Sequence, residues 1–405
     1  MIGSGRILRL GGSNNRQVFD GGKYISLEKQ ISNGILRVQC GAGKGFPQVY
    51  LIILNRKAID MYQNWKDLIP SFIRLRLRQL HCSLIRRKGI AKYKKWADHP
   101  GVTEGENDPG ELFSRYVKIV HLEIDRYCNR SCVYCANHKL PCRKEHSPMP
   151  EELYEKCLKE LAEISYNAFI EFNGFNEPLA DIPLLQKRIK MLKHYCPEAR
   201  LLINSNGDFL NQDILDMLAE SGVDHMMVTL HLNSNEFHLS EWERKQKFAA
   251  FEKRLSGCEF TFDPVMEIWQ TRKENLLLIV RVSDFCLTGH NFAGCAGKKV
   301  RRDVPCYVPM LHYYVDYAGR VTFCCSANMD SPDCKPLIMG NAKENTVFEI
   351  YSSPQAKKFR KAMLTMKNMP SCCAVCDAQT GYCMNTAYQQ NPYHPFFDKG
   401  SPDHS

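Results

Sequence analysis

Apolar and polar positions change their spacing at about residue 110. Beyond that point, short apolar runs typical of strands lie at residues 117–124, 168–172, 200–204, 225–232, 259–262 and 276–282. Stretches with apolar residues at helical spacing separate them, at residues 150–164, 182–194, 213–221 and 241–255. Strands that alternate with helices pair in parallel through right-handed crossovers. The pattern therefore predicts an α/β fold.

Polar motifs follow the first three predicted strands. Three cysteines at spacing C-x3-C-x2-C follow the first strand, Gly-Phe-Asn-Glu-Pro at residues 174–178 follows the second, and Asn-Ser-Asn-Gly at residues 204–207 follows the third. Open α/β sheets and barrels bind ligands at the carboxyl ends of their strands. We therefore expect the three motifs to build one site.

The three cysteines are Cys128, Cys132 and Cys135. Thiolates suit iron–sulfur clusters and zinc. Three thiolates leave one iron of a four-iron cluster open, and an open position marks a reactive metal site. Zinc is the alternative, with His138 or Cys142 as a fourth ligand, but C-x2-C pairs dominate zinc sites.

The cysteine motif, with Tyr134 just before its third cysteine, resembles the signature of radical S-adenosylmethionine (SAM) enzymes. The resemblance implies a partial (β/α)6 barrel and a [4Fe–4S] cluster on Cys128, Cys132 and Cys135. It also implies SAM on the open iron, flanked by Tyr134. Such enzymes cleave SAM reductively to a 5′-deoxyadenosyl radical, which abstracts hydrogen from a substrate, and they take electrons from a flavodoxin or ferredoxin.

Two further motifs match this family residue by residue. The run of Gly174, Asn176, Glu177 and Pro178 is similar to its Gly-Gly-Glu-Pro element, with asparagine in place of the second glycine. The run that begins at Asn204 and includes Asn206 resembles its Thr-Asn-Gly element. The resemblance implies that all these residues bind SAM.

A second group of cysteines lies in the last quarter of the chain. A predicted hairpin at residues 312–323, with Gly319 at its turn, brings Cys306 and Cys324 together, and Cys373 and Cys376 form a C-x2-C pair. The group resembles the SPASM module and its shorter form, twitch. The resemblance implies one auxiliary [4Fe–4S] cluster on these four cysteines. A zinc ribbon is the alternative, and Cys325 and Cys372 are rival ligands.

The one-cluster arrangement resembles that of enzymes that act on aminocyclitols and sugars. We expect hydrogen abstraction from a carbinol of a small molecule or glycan, followed by oxidation or epimerisation. For epimerisation, Cys286 and Cys295 are the candidate catalytic hydrogen donors. A peptide-modifying SPASM maturase and a zinc-dependent nucleic-acid-binding protein are the alternatives.

The net charge of +10 owes much to one basic stretch at residues 72–95. This stretch is either a solvated helix face or a contact for an anionic membrane or nucleic acid. Residues 1–12 lack the apolar run of a secretory signal, and no apolar run is long enough to span a bilayer, so we expect a cytoplasmic location.

The sequence predicts four regions. Residues 1–110 are an accessory region that carries the basic stretch, and residues 111–300 are the radical SAM partial barrel. Residues 301–385 are an α+β module for the auxiliary cluster, and residues 386–405 are a tail.

Overall fold

The computed structural model describes part of the chain, in two compact units, Met1–Gln79 and Leu80–Ser405. The described residues are 16–20, 23–27, 30–32, 35–37, 102–103, 108–172, 174–232, 239–263, 267–282, 292–295, 299, 301–302 and 305–376. The basic stretch at residues 72–95 and the tail at residues 386–405 lie outside them. Predictions for these two segments stay predictions.

The first unit contains two antiparallel strand pairs. β1 (Arg16–Asp20) pairs with β2 (Lys23–Leu27), and β3 (Gln30–Ser32) pairs with β4 (Ile35–Arg37). The sequence between the partners is Gly-Gly in the first pair and Asn-Gly in the second. Both dipeptides favour two-residue hairpins.

The second unit is built on one mixed sheet of ten strands, in the order β14-β13-β12-β5-β6-β7-β8-β11-β10-β9. Its six central strands, β12 to β11 in that order, are parallel, and antiparallel strands extend it at both edges. The sheet is not closed into a barrel. The strands are β5 (Ile119–Leu122), β6 (Phe169–Glu171), β7 (Arg200–Ser205), β8 (His225–Leu230), β9 (Thr261–Asp263), β10 (Ile268–Lys273), β11 (Leu276–Val282), β12 (His312–Val315), β13 (Arg320–Thr322) and β14 (Gly340–Asn341).

Helices connect the strands, and side-chain oxygens cap several of their first turns. Asp108, Asp181 and Asn211 accept hydrogen bonds from the backbone of α1, α3 and α4, and Ser240 forms a capping box on α5. The helices are α1 (Pro109–Tyr116), α2 (Glu151–Glu163), α3 (Ile182–Tyr195), α4 (Gln212–Glu220), α5 (Glu241–Glu252), α6 (Val308–Leu311), α7 (Val347–Ser352), α8 (Pro354–Thr365) and α9 (Ser371–Ala374).

The two faces of the central strands are buried in different surroundings. Val120, Ile170 and Ile203 belong to the main core that the helices cover. Successive strand residues point to opposite faces. The inner face therefore carries the alternate residues, a small apolar layer followed by polar side chains. They are Ile119, His121, Phe169, Glu171, Leu202, Asn204, His312 and Tyr314.

Most of the predicted strands and helices are confirmed, with ends that shift by a few residues. The predicted strand at 276–282 is β11 with the same bounds, and the hairpin at residues 312–323 is β12 and β13, with Gly319 at a φ of +91° in its turn. One assignment is wrong. The strand predicted at 259–262 is β9, which pairs antiparallel to β10 near one edge of the sheet. The sixth parallel strand is β12, from the predicted auxiliary module.

Among the described residues, no helix is both long and apolar enough to cross a membrane.

Candidate active site

The loop after β5 carries Cys128, Cys132 and Cys135, here called the loop thiols. All three are half-buried free thiols. Burial raises the pKa of Cys128 to about 12, and the two neighbouring thiols add to the shift. This shift shows that the three sulfurs lie close enough to repel one another as thiolates. A shared metal centre would relieve that repulsion. The donor chemistry fits a cluster held by three cysteines.

Polar contacts fasten this loop to the end of β7. Asn129 Nδ2 donates to Asp208 at 2.7 Å, and Arg130 Nε donates to the same carboxylate at 2.7 Å. Asn206 Nδ2 donates to Asn129 Oδ1 at 2.7 Å. The first and third sequence motifs are therefore in direct contact, although Asp208 itself was not predicted.

Glu177 holds the second and third motifs together. Its carboxylate accepts hydrogen bonds from Ser205 Oγ at 2.7 Å, Asn206 N at 2.7 Å and Leu179 N at 3.1 Å. Its own backbone N–H donates to Tyr127 O at 2.8 Å, just before the loop thiols. Burial raises the pKa of Glu177 to about 7, against these hydrogen bonds. The carboxylate therefore positions the strand ends.

Gly174 and Asn176 shape the loop after β6. Asn176 Oδ1 accepts from Gly174 N at 3.0 Å, and Asn176 Nδ2 donates to Phe172 O at 3.2 Å. A Cβ on Gly174 would lie 2.0 Å from the hydroxyl oxygen of Tyr314. Glycine is therefore required by packing against β12, and Pro178 opens the short 3₁₀ turn Pro178–Ala180 that follows.

Tyr134 and Asn204 lie at two different levels of the site. Tyr134 stacks on His231, with ring centroids 5.9 Å apart, and its hydroxyl lies 3.1 Å from His231 Nδ1. Burial lowers the pKa of His231 to about 3, so this imidazole is neutral. Asn204 lies deeper, on the inner face, where its side-chain amide donates to Glu171. No pattern in the sequence indicated His231.

A buried charge network joins the loop after β5 to the predicted auxiliary module at residues 301–385. Arg143 pairs with Glu123 at the end of β5, and both side chains are almost fully buried. Arg143 also pairs with Asp330 at 2.9 Å and donates to Asn328 Oδ1 at 3.1 Å. Burial raises the pKa of Glu123, while Arg143 opposes that shift. Sequence reasoning missed this network because its members are distant in the chain.

The second cysteine group lines one cavity, together with Arg302 and apolar side chains. Three of its four thiols are buried, and burial raises the pKa of Cys306 to about 11. Among the described residues that line this cavity there is no carboxylate. Four thiols with one cation fit a closed, four-thiolate metal centre. These are the cavity thiols, Cys306, Cys324, Cys373 and Cys376.

The rival ligands and one candidate hydrogen donor also have defined places. Cys325 and Cys372 are absent from the lining of that cavity. Cys295, a candidate hydrogen donor, lies 3.3 Å from the sulfur of Cys334 and 3.6 Å from Ser331 Oγ. The thiol of Cys334 donates a hydrogen bond that lowers the pKa of Cys295 to about 7. Cys286 lies outside the described residues.

Two family models match this chain. The model of the radical SAM superfamily matches residues 122–259, and that of an iron–sulfur cluster-binding domain, SPASM, matches residues 306–377. The chain is a radical SAM protein with a C-terminal SPASM domain. Its cofactors are [4Fe–4S] clusters and SAM, and the predicted fold class is confirmed.

Two kinds of curated protein are among the relatives of this radical SAM protein. The S-adenosyl-L-methionine-dependent 2-deoxy-scyllo-inosamine dehydrogenase of Niallia circulans is 27% identical over 254 residues, which are 62% of this chain and 88% of that protein. The FeMo cofactor biosynthesis protein NifB of Klebsiella pneumoniae is 29% identical over 119 residues, which are 28% of this chain and 25% of that protein.

Solved structures are also similar to this radical SAM protein. The crystal structure of BtrN in complex with AdoMet and 2-DOIA matches with a TM-score of 0.49 and 24% identity, over 64% of this chain and 93% of that chain. Native anSMEcpe with bound AdoMet matches with a TM-score of 0.38 and 12% identity, over 62% and 83%.

Proposed function

We propose that this radical SAM enzyme oxidises a carbinol carbon of an aminocyclitol or related sugar to a ketone. The observation that carries the proposal is the cavity that gathers four thiols, three of them buried. A centre with four protein ligands has no position for substrate, so electron transfer is its natural role. The similarity to an aminocyclitol dehydrogenase supports the same substrate class.

The proposed reaction removes two hydrogens from the carbinol, one as an atom and one as a proton with a separate electron. When bound, the loop cluster and SAM supply a 5′-deoxyadenosyl radical that takes the hydrogen atom, and the auxiliary cluster supplies an acceptor for the electron released as the C=O bond forms. The loop thiols and the cavity thiols are the proposed ligands.

Residues of the chain would then position the partners in this reaction. The contacts among Asn129, Asn206 and Glu177 hold three strand ends at one edge of the sheet. We assign SAM to this edge, near Tyr134. The inner face below it carries buried polar groups, among them His121 and Glu171. Such groups can bind the hydroxyls of a cyclitol and exclude water from the radical.

The test is an anaerobic turnover assay with a deuterium label on the carbinol carbon. The reconstituted enzyme receives SAM, dithionite and 2-deoxy-scyllo-inosamine or related aminocyclitols and sugars. We expect deuterium in 5′-deoxyadenosine and one ketone per SAM consumed. Cleavage of SAM without deuterium transfer from any member of the panel would contradict the substrate class. A modified peptide would instead indicate the maturase alternative.

Epimerisation is a second candidate, and the thiol pair of Cys295 and Cys334 favours it. In this reaction a thiol returns hydrogen to the opposite face of the carbon radical, so the product carries solvent hydrogen. We expect alanine at Cys295 or at Cys286 to spare SAM cleavage and stop epimer formation. Because the pKa of Cys295 is about 7, epimer formation should fall as the pH rises through 7. An epimer formed by both variants would remove these donors.

Two partners belong to the proposal. A flavodoxin or ferredoxin would supply the reducing electron. We expect a reduced flavodoxin to replace dithionite in the turnover assay. The basic stretch at residues 72–95 would contact an anionic membrane. Sedimentation with vesicles that contain anionic lipid tests that contact, and equal sedimentation with neutral vesicles would contradict it.

A further inference from the structure

Three metal-binding side chains meet at the inner face, outside both the loop thiols and the cavity thiols. They are His121 on β5, His312 on β12 and Cys325 after β13. One donor atom from each lies within 4.8 Å of the other two. Both histidines are buried, and Cys325 is half-buried.

The two adjacent cysteines of this segment belong to different groups of donor atoms. Cys324 lines the cavity with the other cavity thiols, whereas Cys325 groups with the two histidines. A fourth thiol for the cavity is therefore available without Cys325.

The surroundings of His121 orient its ring. Its Nδ1 lies 3.3 Å from the carboxylate of Glu171, which in turn accepts a hydrogen bond from Asn204. With the Nδ1 proton directed at this carboxylate, the lone pair of His121 Nε2 points at His312 Nδ1, 2.8 Å away. A histidine held by a carboxylate through its other nitrogen is the usual arrangement around a bound metal.

We propose that His121, His312 and Cys325 bind a zinc(II) ion. Imidazole nitrogen together with thiolate sulfur suits zinc rather than magnesium or calcium. Three protein ligands leave a fourth position open, as in zinc sites that bind water or substrate. In the register of β12 with β5, His312 lies beside Ile119 and Tyr314 lies beside His121. The two histidines are therefore diagonal neighbours on adjacent strands.

The open position would face the inner side of the sheet. There it could take a hydroxyl oxygen of the carbinol substrate and favour its deprotonation. Only this role rests on the proposed function. The zinc site itself stands on the three side chains and on Glu171.

The experiment measures zinc in the holoenzyme without SAM or substrate. The protein is reconstituted anaerobically with iron and sulfide, exposed to zinc chloride and passed over a chelating resin. Zinc and iron per chain are then measured, together with X-ray absorption at the zinc edge. We expect about one zinc per chain, with one sulfur at about 2.3 Å and two nitrogens at about 2.0 Å in its first shell.

Variants assign the ligands. We expect Cys325→Ser and His312→Gln to lose the zinc and keep the iron. Glu171→Gln should weaken zinc binding by about 10–100-fold, because it acts through His121. Cys258→Ser, a half-buried thiol outside all three groups, should keep the zinc. If Cys325→Ser also loses iron, the zinc and iron contents of His312→Gln decide whether the zinc site exists.

Three results would overturn the zinc site. The first is that no zinc is retained. The second is zinc surrounded by four sulfurs, which would place it on the cavity thiols. The third is zinc that both His312→Gln and Cys325→Ser retain. In each case His121 and His312 are joined by a hydrogen bond alone. None of these results bears on the proposed oxidation, since turnover is not measured.

Discussion

The loop thiols come from one loop at residues 128–135 and stay half-buried, whereas the cavity thiols come from three segments and are mostly buried. Three donors on a loop leave one coordination position and a path to it. Four donors around a closed cavity leave neither. The difference supports the proposal that one site binds a ligand and the other only exchanges electrons. The following variants test that contrast.

The largest effects are expected from removing one thiol of each set. Cys132→Ala should reduce 5′-deoxyadenosine formation to background and halve the iron from about eight per chain. Cys324→Ala should also halve the iron but keep 5′-deoxyadenosine formation, while ketone formation stops. Iron analysis and chromatography of the products provide the measurement. Equal loss of SAM cleavage in both variants would contradict the separate roles.

The next effect concerns the buried charges that connect the two sites. Arg143→Met leaves the buried Glu123 without its cation, whereas Asp330 keeps its pair with Arg320 at 2.6 Å. Breaking a buried pair costs about 3–5 kcal/mol. Urea unfolding of the anaerobic protein measures the change. Lys187→Met is the control, since its pair with Glu151 is exposed and is worth about 1 kcal/mol at most. Equal midpoints for the two variants would show that the network is not needed for stability.

Glu177 gives a pH dependence at the strand ends beside the loop thiols. Its pKa rises from an ordinary 4.5 to about 7 in the folded protein, so folding favours the protonated form. Stability should therefore fall as the pH rises from about 4.5 to about 7, by up to about 3 kcal/mol. Urea midpoints of the wild type and of Glu177→Gln across this range measure the difference. A constant difference between the two would mean that the pKa is ordinary.

The smallest effect is expected where the loop after β6 packs against Tyr314 on β12. In Gly174→Ala the added methyl overlaps the ring of Tyr314, and overpacking of this kind costs about 1–3 kcal/mol. Gly257→Ala is the control, because its methyl would meet only the flexible end of Gln212 at 3.3 Å. Urea midpoints compare the two. A shift in the control as large as that of Gly174→Ala would contradict the packing argument.

Local patterns predicted the motifs and most elements of the fold. The three cysteines, Glu177 and Asn206 follow strands that are visible as apolar runs, so their common edge could be inferred from α/β topology. The cavity thiols were predicted from a turn glycine and a C-x2-C pair, and the structure gathers them around one cavity. Their ligand roles stay predictions.

Contacts between distant segments could not be predicted. Arg143 meets Asp330 because β12 and its hairpin pack beside β5, and no spacing in the sequence encodes that pairing. His121 and His312 are likewise 191 residues apart. The antiparallel placement of β9 was missed because β10, with its charged and polar side chains, does not have the apolar pattern of a buried parallel strand.

The pairing of β12 with β5 has a consequence for dividing the protein. The strand after residue 305 completes the parallel sheet, so a chain cut at residue 300 would leave β5 with a bare row of backbone hydrogen-bonding groups. Such an exposed edge is a template for aggregation. The segment with the cavity thiols would in turn lose the neighbour of its first strand. The predicted boundary at residue 300 therefore does not mark a point where two soluble proteins could be separated, and fusion or truncation should keep both parts together.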